Sequence, residues 1–299
     1  TAHALAGLGV RRGDKVASVL ANCREAVELI FAGPSLGAVN VPLSPMLMGP
    51  GLRSLLADSQ AAALVTQVSM LPVIESIRDE LPELLHRRIV LVDGREPGCF
   101  SLADLRAAAS DSPPQATVTQ DDLFNIMYTS GTTGMPKGIM HSHYVRAMYA
   151  LLMGAAWRMT PESVVLHSGS IVFNGAYTTL MPCFHLGAHY VLARQFDAAA
   201  TVDLIERHRV THTMMVPAQI IALMDAPNFT PERLASLEMV LSLGAPLHQE
   251  QKDRLNRLLP GRFYELYGLT EGFVTILDAA ESVRKAGSVG VPPPFFRLR

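Results

Sequence analysis

The sequence predicts an α/β protein built from two packed lobes of mostly parallel sheet flanked by helices. Short apolar runs alternate with amphipathic stretches along the 299 residues, and 49% of the residues are hydrophobic, enough to bury a substantial core. Such alternation is typical of parallel strands joined by crossover helices. The predicted strands are residues 15–20, 62–66, 88–92, 123–129, 163–167, 189–193, 211–216, 239–243 and 263–267.

Helices are predicted where apolar residues recur at i, i+3 and i+4. The clearest candidates are residues 71–85, 142–158, 199–208 and 248–259. The longest apolar run without a charge lies between Arg146 and Arg158. A membrane-spanning helix needs about 20 apolar residues, so this run is expected to be a buried helix, and no transmembrane segment is expected.

Composition and charge exclude several functional classes. Charged residues make up 17% of the chain and the net charge is −2, which gives no electrostatic basis for binding nucleic acid or an anionic membrane. Cys23, Cys99 and Cys183 are widely spaced, as is typical of reduced thiols in a cytosolic protein. The first residues lack the pattern of a signal peptide and include no methionine. We therefore expect a cytoplasmic chain that begins inside a longer one.

Residues 128–138, YTSGTTGMPKG, form the most distinctive segment. Glycines that let the backbone bend, hydroxyl donors and the positive charge of Lys137 together favour phosphate binding after a strand. The P-loop of nucleotide hydrolases does not fit, because Pro136 and Gly138 replace its glycine and its Ser/Thr. An ordinary glycine-rich connection is the remaining alternative. The candidate phosphate-binding residues are Thr129, Ser130, Gly131, Thr132, Thr133, Gly134 and Lys137.

This segment resembles the phosphate-loop signature of the adenylate-forming superfamily, which includes acyl-CoA synthetases, luciferases and peptide-synthetase adenylation domains. A second segment, YGLTE at residues 267–271, resembles the family's aromatic-Gly-x-Thr-Glu motif. Residues 13–17, Asn22 and residues 41–45 look like the family's opening. The resemblance covers nearly the whole chain and is strongest to fatty-acid–CoA ligases.

The resemblance assigns a task to each residue of the second motif. Tyr267 offers a flat face for a purine, and Gly268 allows a tight turn beside a ligand. Thr270 donates to the α-phosphate of ATP. Glu271 is a hard oxygen ligand suited to Mg²⁺, although an isolated glutamate is more often a solvated surface charge. Lys137, Thr270 and Glu271 are the expected catalytic residues.

The segment at residues 242–246, SLGAP, resembles the family's small-residue turn beside the adenine and the acyl pocket. Gly244, Ala245 and Pro246 are expected to let the backbone approach the nucleotide closely. The family usually has glycine where Leu243 stands. Leu243 therefore either narrows the acyl side of the pocket or points away from it.

The family also has a Pro-x-Phe-His motif in its substrate pocket, and Phe184-His185 is a tempting match. The spacing to the segments that follow favours residues 170–175 instead, where the histidine is missing. By this alignment Phe173, Asn174 and Gly175 line the pocket together with Leu243 and Gly244. His185 is then expected to be structural.

His141 and His143 are expected to begin the helix after the phosphate loop. The family often has a histidine at the position of His143, where it helps to hold the loop. A metal site at this His-x-His is not favoured, because no acidic or cysteine partner lies nearby in sequence.

The resemblance implies an N-terminal core with the active site between its lobes. One lobe is expected at about residues 46–160, the other at about 1–45 plus 161–285, and the start of a small β-barrel at 286–299. Family members continue into a ribose-binding segment and a mobile C-terminal domain that carries a catalytic lysine. Neither is present in these 299 residues, so we expect the chain alone to turn over poorly.

The implied activity is ATP-dependent conversion of a fatty or aromatic acid to an acyl-adenylate, followed by thioester formation with coenzyme A. ATP and Mg²⁺ are the implied cofactors, and coenzyme A is the co-substrate. An adenylation domain that loads a carrier protein and a non-catalytic nucleotide-binding module are the alternatives. The sequence does not determine the oligomeric state, and a homodimer is one possibility.

Overall fold

A computed structural model describes residues 1–129 and 136–296 and divides the chain into two compact units, Thr1–Arg146 and Ala147–Arg299. Each unit holds a mostly parallel sheet with helices between its strands. The expected α/β class is therefore confirmed. Within the described residues, no helix is long and apolar enough to cross a membrane.

The described part of the first unit contains a seven-stranded sheet in the order β5-β4-β3-β1-β2-β6-β7. All neighbouring strands are parallel except β6 and β7, which form an antiparallel hairpin. The strands are β1 (Lys15–Val19), β2 (Val39–Leu43), β3 (Ala61–Thr66), β4 (Ile89–Leu91), β5 (Phe100–Ser101), β6 (Leu123–Thr129) and β7 (Lys137–Ser142).

The helices up to residue 148 are short, and the helix predicted at 71–85 is interrupted. It ends at Glu75, and Ile77 has non-helical backbone angles. Leu81 is extended, because the residue before a proline is driven out of the helical region, and the next α-helix begins only at Glu83. The helices are α1 (Ala2–Gly7), α2 (Arg24–Ala32), α3 (Gly49–Asp58), α4 (Leu71–Glu75), α5 (Glu83–His86), α6 (Leu102–Ala107) and α7 (His143–Met148), with 3₁₀ turns at Pro34–Leu36, Val68–Met70 and Arg78–Glu80.

The described part of the second unit contains a six-stranded sheet in the order β13-β12-β11-β10-β8-β9, in which only β12 and β13 are antiparallel. The strands are β8 (Val164–His167), β9 (His189–Leu192), β10 (His212–Met215), β11 (Met239–Ser242), β12 (Phe263–Gly268) and β13 (Val274–Leu277). The helices are α8 (Gly154–Ala156), α9 (Asn174–Leu186), α10 (Ala198–His208), α11 (Pro217–Met224) and α12 (Gln249–Leu258), and a π-helical turn (Tyr149–Met153) precedes α8.

The second sheet is covered on both faces. Met153, Trp157 and Cys183 belong to one core cluster, and residues of α10, α11 and α12 belong to the other. The chain runs from β8 to β9 at the edge and then returns to β10 on the other side of β8. In such sheets the carboxyl ends of the strands beside the reversal form the usual crevice for a ligand.

The expected assignment of residues 1–45 to the second lobe is wrong. β1 pairs with β2 and β3, and β2 pairs with β6, so these residues belong to the first sheet. The first unit ends at Arg146, earlier than the expected 160. The β-barrel at 286–299 stays a prediction, and in its described part Val291 forms an isolated bridge to Ile276.

Candidate functional site

The ends of the candidate phosphate loop are set by the β6–β7 hairpin. Thr129, the last residue of β6, is the register partner of Lys137, the first residue of β7. The side chain of Lys137 is exposed. The other predicted residues of this segment, Ser130, Gly131, Thr132, Thr133 and Gly134, lie outside the described residues.

Tyr128 makes the main side-chain contacts at the base of this hairpin. Its hydroxyl donates a hydrogen bond to Asp58 Oδ2 at 2.6 Å. Burial, and then the Asp58 carboxylate, raise the pKa of Tyr128 well above its ordinary value. A β-carbon built on Gly138 would lie 3.3 Å from Cε1 of the tyrosine ring. The sequence includes Tyr128 in the motif, but Asp58, seventy residues earlier in the chain, has no local signal.

His141 does not begin the following helix, contrary to expectation. It lies in β7, is 2% exposed, and its Nδ1 contacts Asn125 Nδ2 at 3.3 Å and Arg146 Nη2 at 3.1 Å. Arg146 also donates to Asn125 Oδ1 at 2.7 Å. These contacts form a buried polar network that joins β6, β7 and α7.

His143 does begin α7, as expected. Its ring packs edge-on against Phe124, with ring centroids 5.1 Å apart. Burial lowers the pKa of His143, and the charge of Asp122 opposes this effect. At neutral pH the ring is therefore an uncharged packing group beside β6.

The predicted substrate-pocket residues of the second unit come together at the carboxyl ends of β8 and β11. Phe173 precedes α9 and is 57% exposed, and the Asn174 amide donates to the Tyr149 hydroxyl at 3.1 Å. A β-carbon on Gly175 would lie 2.7 Å from Leu243 Cδ1. Leu243 therefore packs over the first turn of α9.

The turn after β11 presents backbone on the same edge. Gly244 has φ of 94°, in the left-handed region that favours glycine. The next two residues, Ala245 and Pro246, are exposed. The small side chains of this turn leave its main chain accessible. His185, by contrast, is exposed in the last turn of α9.

The second motif occupies the end of β12 and the tight connection to β13. Tyr267 is 50% exposed, and its ring packs edge-on against Phe273 at 5.5 Å. A β-carbon on Gly268 would overlap the Phe273 carbonyl oxygen and lie 2.8 Å from Val274 Cγ1. The backbone of the hairpin itself therefore requires glycine at position 268. The family resemblance explains this glycine only by a ligand beside the turn.

Thr270 and Glu271 lie in the connection between β12 and β13, with the Glu271 side chain exposed. Among the described residues, no three His, Cys, Asp or Glu side chains converge on a metal site. Mg²⁺ usually takes only one or two protein carboxylates and completes its shell with water and substrate phosphates. A single exposed glutamate fits that kind of ligand set.

Three buried ionisable residues near these strands were missed by sequence reasoning. Lys252 of α12 and Glu265 of β12 form an ion pair at 2.5 Å, with both side chains less than 10% exposed. His167, the last residue of β8, is 1% exposed, and burial lowers its pKa to about 4. The Ser170 main chain opposes this lowering. The burial of these three side chains results from packing against distant parts of the chain. The local sequence therefore does not predict it.

A groove of about 1070 Å³ lies at the opposite, amino-terminal edge of the second sheet. Its lining includes Arg158, Glu162 and Thr211 near the starts of β8 and β10, and Glu238 and Arg262 just before β11 and β12. None of the predicted site residues lines it. The groove is therefore separate from the candidate site.

A family model described as AMP-binding enzyme matches residues 1–299. The chain is 32% identical over 286 residues to 4-coumarate–CoA ligase 1 of Oryza sativa subsp. japonica, covering 89% of this chain and 49% of that protein. It is 32% identical over 302 residues to indoleacetate–CoA ligase of Aromatoleum aromaticum, covering 100% of this chain and 58% of that protein. The chain thus spans about half the length of these curated relatives.

Solved structures of related proteins are also similar to this chain. The inhibitor-bound N-terminal domain of FACL13 from Mycobacterium tuberculosis superposes with a TM-score of 0.86 at 28% identity, covering 98% of this chain and 73% of that one. ATP-bound MatB from Rhodopseudomonas palustris has a TM-score of 0.83 at 27% identity, covering 97% of this chain and 55% of that one. The similarity extends through both units of the chain.

Proposed function

Because the chain belongs to the AMP-binding enzyme family, we propose that it is the nucleotide- and acyl-binding part of an AMP-forming acid–CoA ligase. The observation that carries the proposal is the small-residue turn at Gly244–Pro246 beside the Leu243–Gly175 contact, at the carboxyl edge where the second sheet reverses its strand order. Relatives named as CoA ligases support the same reaction class.

The reaction has two steps. A carboxylate oxygen of the acid attacks the α-phosphorus of ATP, and pyrophosphate leaves with the bonding electron pair. The thiol sulfur of coenzyme A then attacks the acyl carbonyl, loses its proton, and AMP leaves. Neither step needs a covalent bond to the enzyme, so positioning and neutralisation of charge are the protein's tasks.

Each candidate residue has a chemical task in this proposal. Lys137 and the hydroxyl groups of the preceding loop would bind the β- and γ-phosphates, and Thr270 would donate to the α-phosphate. Glu271 would hold Mg²⁺, which neutralises phosphate charge. Tyr267, with half of its surface exposed, offers a face to the adenine. The turn at Gly244–Pro246 would lie against the opposite side of the nucleotide.

The acid is proposed to be fatty or aromatic. Phe173, Met214 and Leu243 are apolar, and Met214 Cε lies 3.5 Å from the β-carbon position of Gly175. No residue of this group carries the carboxylate needed to pair with the ammonium of an amino acid. This weighs against an adenylation domain for amino acids. The free Cys23, Cys99 and Cys183 support a reducing, cytoplasmic location.

The test is binding to non-hydrolysable acyl-adenylates, measured as thermal stabilisation, which does not depend on turnover. Analogues with aliphatic, aromatic and aminoacyl groups are compared with adenosine. A ligand at ~100 times its Kd should stabilise the protein by about 2.7 kcal/mol. We expect analogues with apolar acyl groups to stabilise the protein more than adenosine does, by an amount that depends on the acyl group. Stabilisation equal to that by adenosine for every analogue would contradict the acyl-binding part of the proposal, and no stabilisation by any ligand would contradict the nucleotide-binding part.

A further inference from the structure

We infer that Asp58 is a positioning residue for Lys137, acting through Tyr128 and Gly138. The inference rests on the proposed function, in which Lys137 binds the β- and γ-phosphates of ATP. Asp58 itself would not touch the nucleotide. Its effect would be to hold the hairpin from which Lys137 projects.

The first link is the hydrogen bond from the Tyr128 hydroxyl to Asp58 Oδ2 at 2.6 Å. A bond to an ionised acceptor is about twice as strong as one between neutral groups. Asp58 is the last residue of α3, where a negative charge opposes the helix dipole. The carboxylate therefore does not stabilise its own helix, and it accepts its hydrogen bond from a residue of β6.

The helix that carries Asp58 is itself firmly held. Leu52, Leu55 and Leu56 of α3 are buried in the core of the first unit. Since these residues lie on the same short helix as Asp58, the position of the carboxylate is set by core packing. Tyr128 is thus tied to a rigid element and also packs partly against this core.

The second link is the packing of Tyr128 across β7. Tyr128 and Gly138 are register partners, and a β-carbon on Gly138 would lie 3.3 Å from Cε1 and Cζ of the ring and 3.0 Å from Ile126 Cγ2. The ring therefore lies close over the backbone of β7. Any larger side chain at position 138 would push the ring or the strand away.

Both contacts of Tyr128 lie next to Lys137, the residue proposed to bind phosphate. Gly138 directly follows Lys137, and the next register pair is Thr129 with Lys137. A lysine has a long, mobile side chain, so the place from which it projects decides which phosphate oxygens it reaches. Fixing the Tyr128 ring fixes this backbone.

The test compares two ligands in purified protein carrying Asp58→Ala, Asp58→Asn or Lys137→Ala. One ligand is α,β-methylene-ATP, which has all three phosphates, and the other is a non-hydrolysable acyl-adenylate, which lacks the β- and γ-phosphates. Asp104→Ala is the matched control, because it removes an exposed carboxylate of the same unit that binds Arg95 at 2.6 Å. Affinities are measured by calorimetry and thermal stability is recorded for every variant.

We expect Asp58→Ala to weaken binding of the ATP analogue roughly 3- to 10-fold, as the loss of one hydrogen bond does, and to change acyl-adenylate binding less than about 2-fold. Asp58→Asn keeps an acceptor oxygen but loses the charge, so it should weaken binding less than Asp58→Ala does. Lys137→Ala should show the same selectivity with a larger effect, and Asp104→Ala should change neither affinity.

Two results would overturn the inference. If Asp58→Ala weakens both ligands equally while Lys137→Ala is selective, Asp58 is merely structural and the proposed function stands. If Lys137→Ala is not selective either, the role of Lys137 in the proposed function fails and the inference fails with it.

Discussion

Leu243 packs directly over Gly175: a β-carbon at position 175 would lie 2.7 Å from Leu243 Cδ1 and 3.5 Å from Met214 Cε. The leucine side chain therefore fills the space above the first turn of α9 and does not point away from it. That Leu243 narrows the acyl side of the pocket stays a prediction, which this contact supports.

Shortening Leu243 should widen the acyl preference. In Leu243→Gly, the space above Gly175 opens, and we expect affinity for acyl-adenylate analogues with bulkier acyl groups to rise about 10-fold or more relative to the smallest one. Affinity for adenosine should stay the same. The measurement is a calorimetric series over acyl size.

Leu247→Ala is the control for Leu243→Gly. Leu247 is buried in the core cluster on the α10–α12 face, so its loss should lower stability without changing the order of acyl preference. An unchanged preference in Leu243→Gly itself would show that this leucine does not limit the acyl group.

Gly268→Ala should destabilise the fold by about 2 kcal/mol or more. The new methyl group would overlap the Phe273 carbonyl oxygen within the β12–β13 hairpin, and backbone cannot move aside as a flexible side chain can. The measurement is urea unfolding. Gly7→Ala is the matched control, because nothing lies within 4 Å of its β-carbon position. Equal stability of the two variants would show that the hairpin adapts.

Lys252→Met should cost about 3–5 kcal/mol of unfolding free energy, because it leaves the buried carboxylate of Glu265 without its partner. Replacing both residues, in Lys252→Met with Glu265→Leu, should recover most of that loss, since two apolar groups need no partner. Denaturant unfolding of both single variants and the double variant measures the coupling. The exposed Arg95–Asp104 pair is the comparison, and breaking it should cost less than about 1 kcal/mol. A double variant no more stable than Lys252→Met would contradict this account.

His167 should make stability depend on pH below neutrality. Its pKa is about 4 in the fold against an ordinary 6.5, so between those values the unfolded chain binds a proton that the folded chain does not. The unfolding free energy therefore falls as pH drops from 6.5 to 4, by on the order of 3 kcal/mol. Above pH 6.5 this residue contributes no pH dependence.

The measurement is urea unfolding of wild type and His167→Gln at several pH values from 4.5 to 7.5. The variant has no imidazole at position 167 and should show a shallower decline. His212, whose pKa burial also lowers, is present in both proteins and cancels in the difference. Parallel curves would show that His167 is not buried in its neutral form.

Several elements could be predicted because their signals are local. The apolar runs that became β1, β3 and β10 are compact and bounded by polar or turn residues, and the periodicity of α10 is regular. By contrast, β7 was missed because Lys137, Gly138 and His141 give it no apolar alternation. It is a strand because it pairs with β6 along its length.

The sequence by itself determined the α/β class, the family and the positions of the two motifs, because strand–helix alternation and short ordered motifs depend on residues close together in the chain. Only the tertiary structure decided that residues 1–45 join the first sheet, that Leu243 packs on Gly175, and that Asp58 holds Tyr128. Each of these relationships joins residues at least 45 positions apart. Their partners are chosen by sheet register and side-chain volume, which the fold sets and local sequence does not encode.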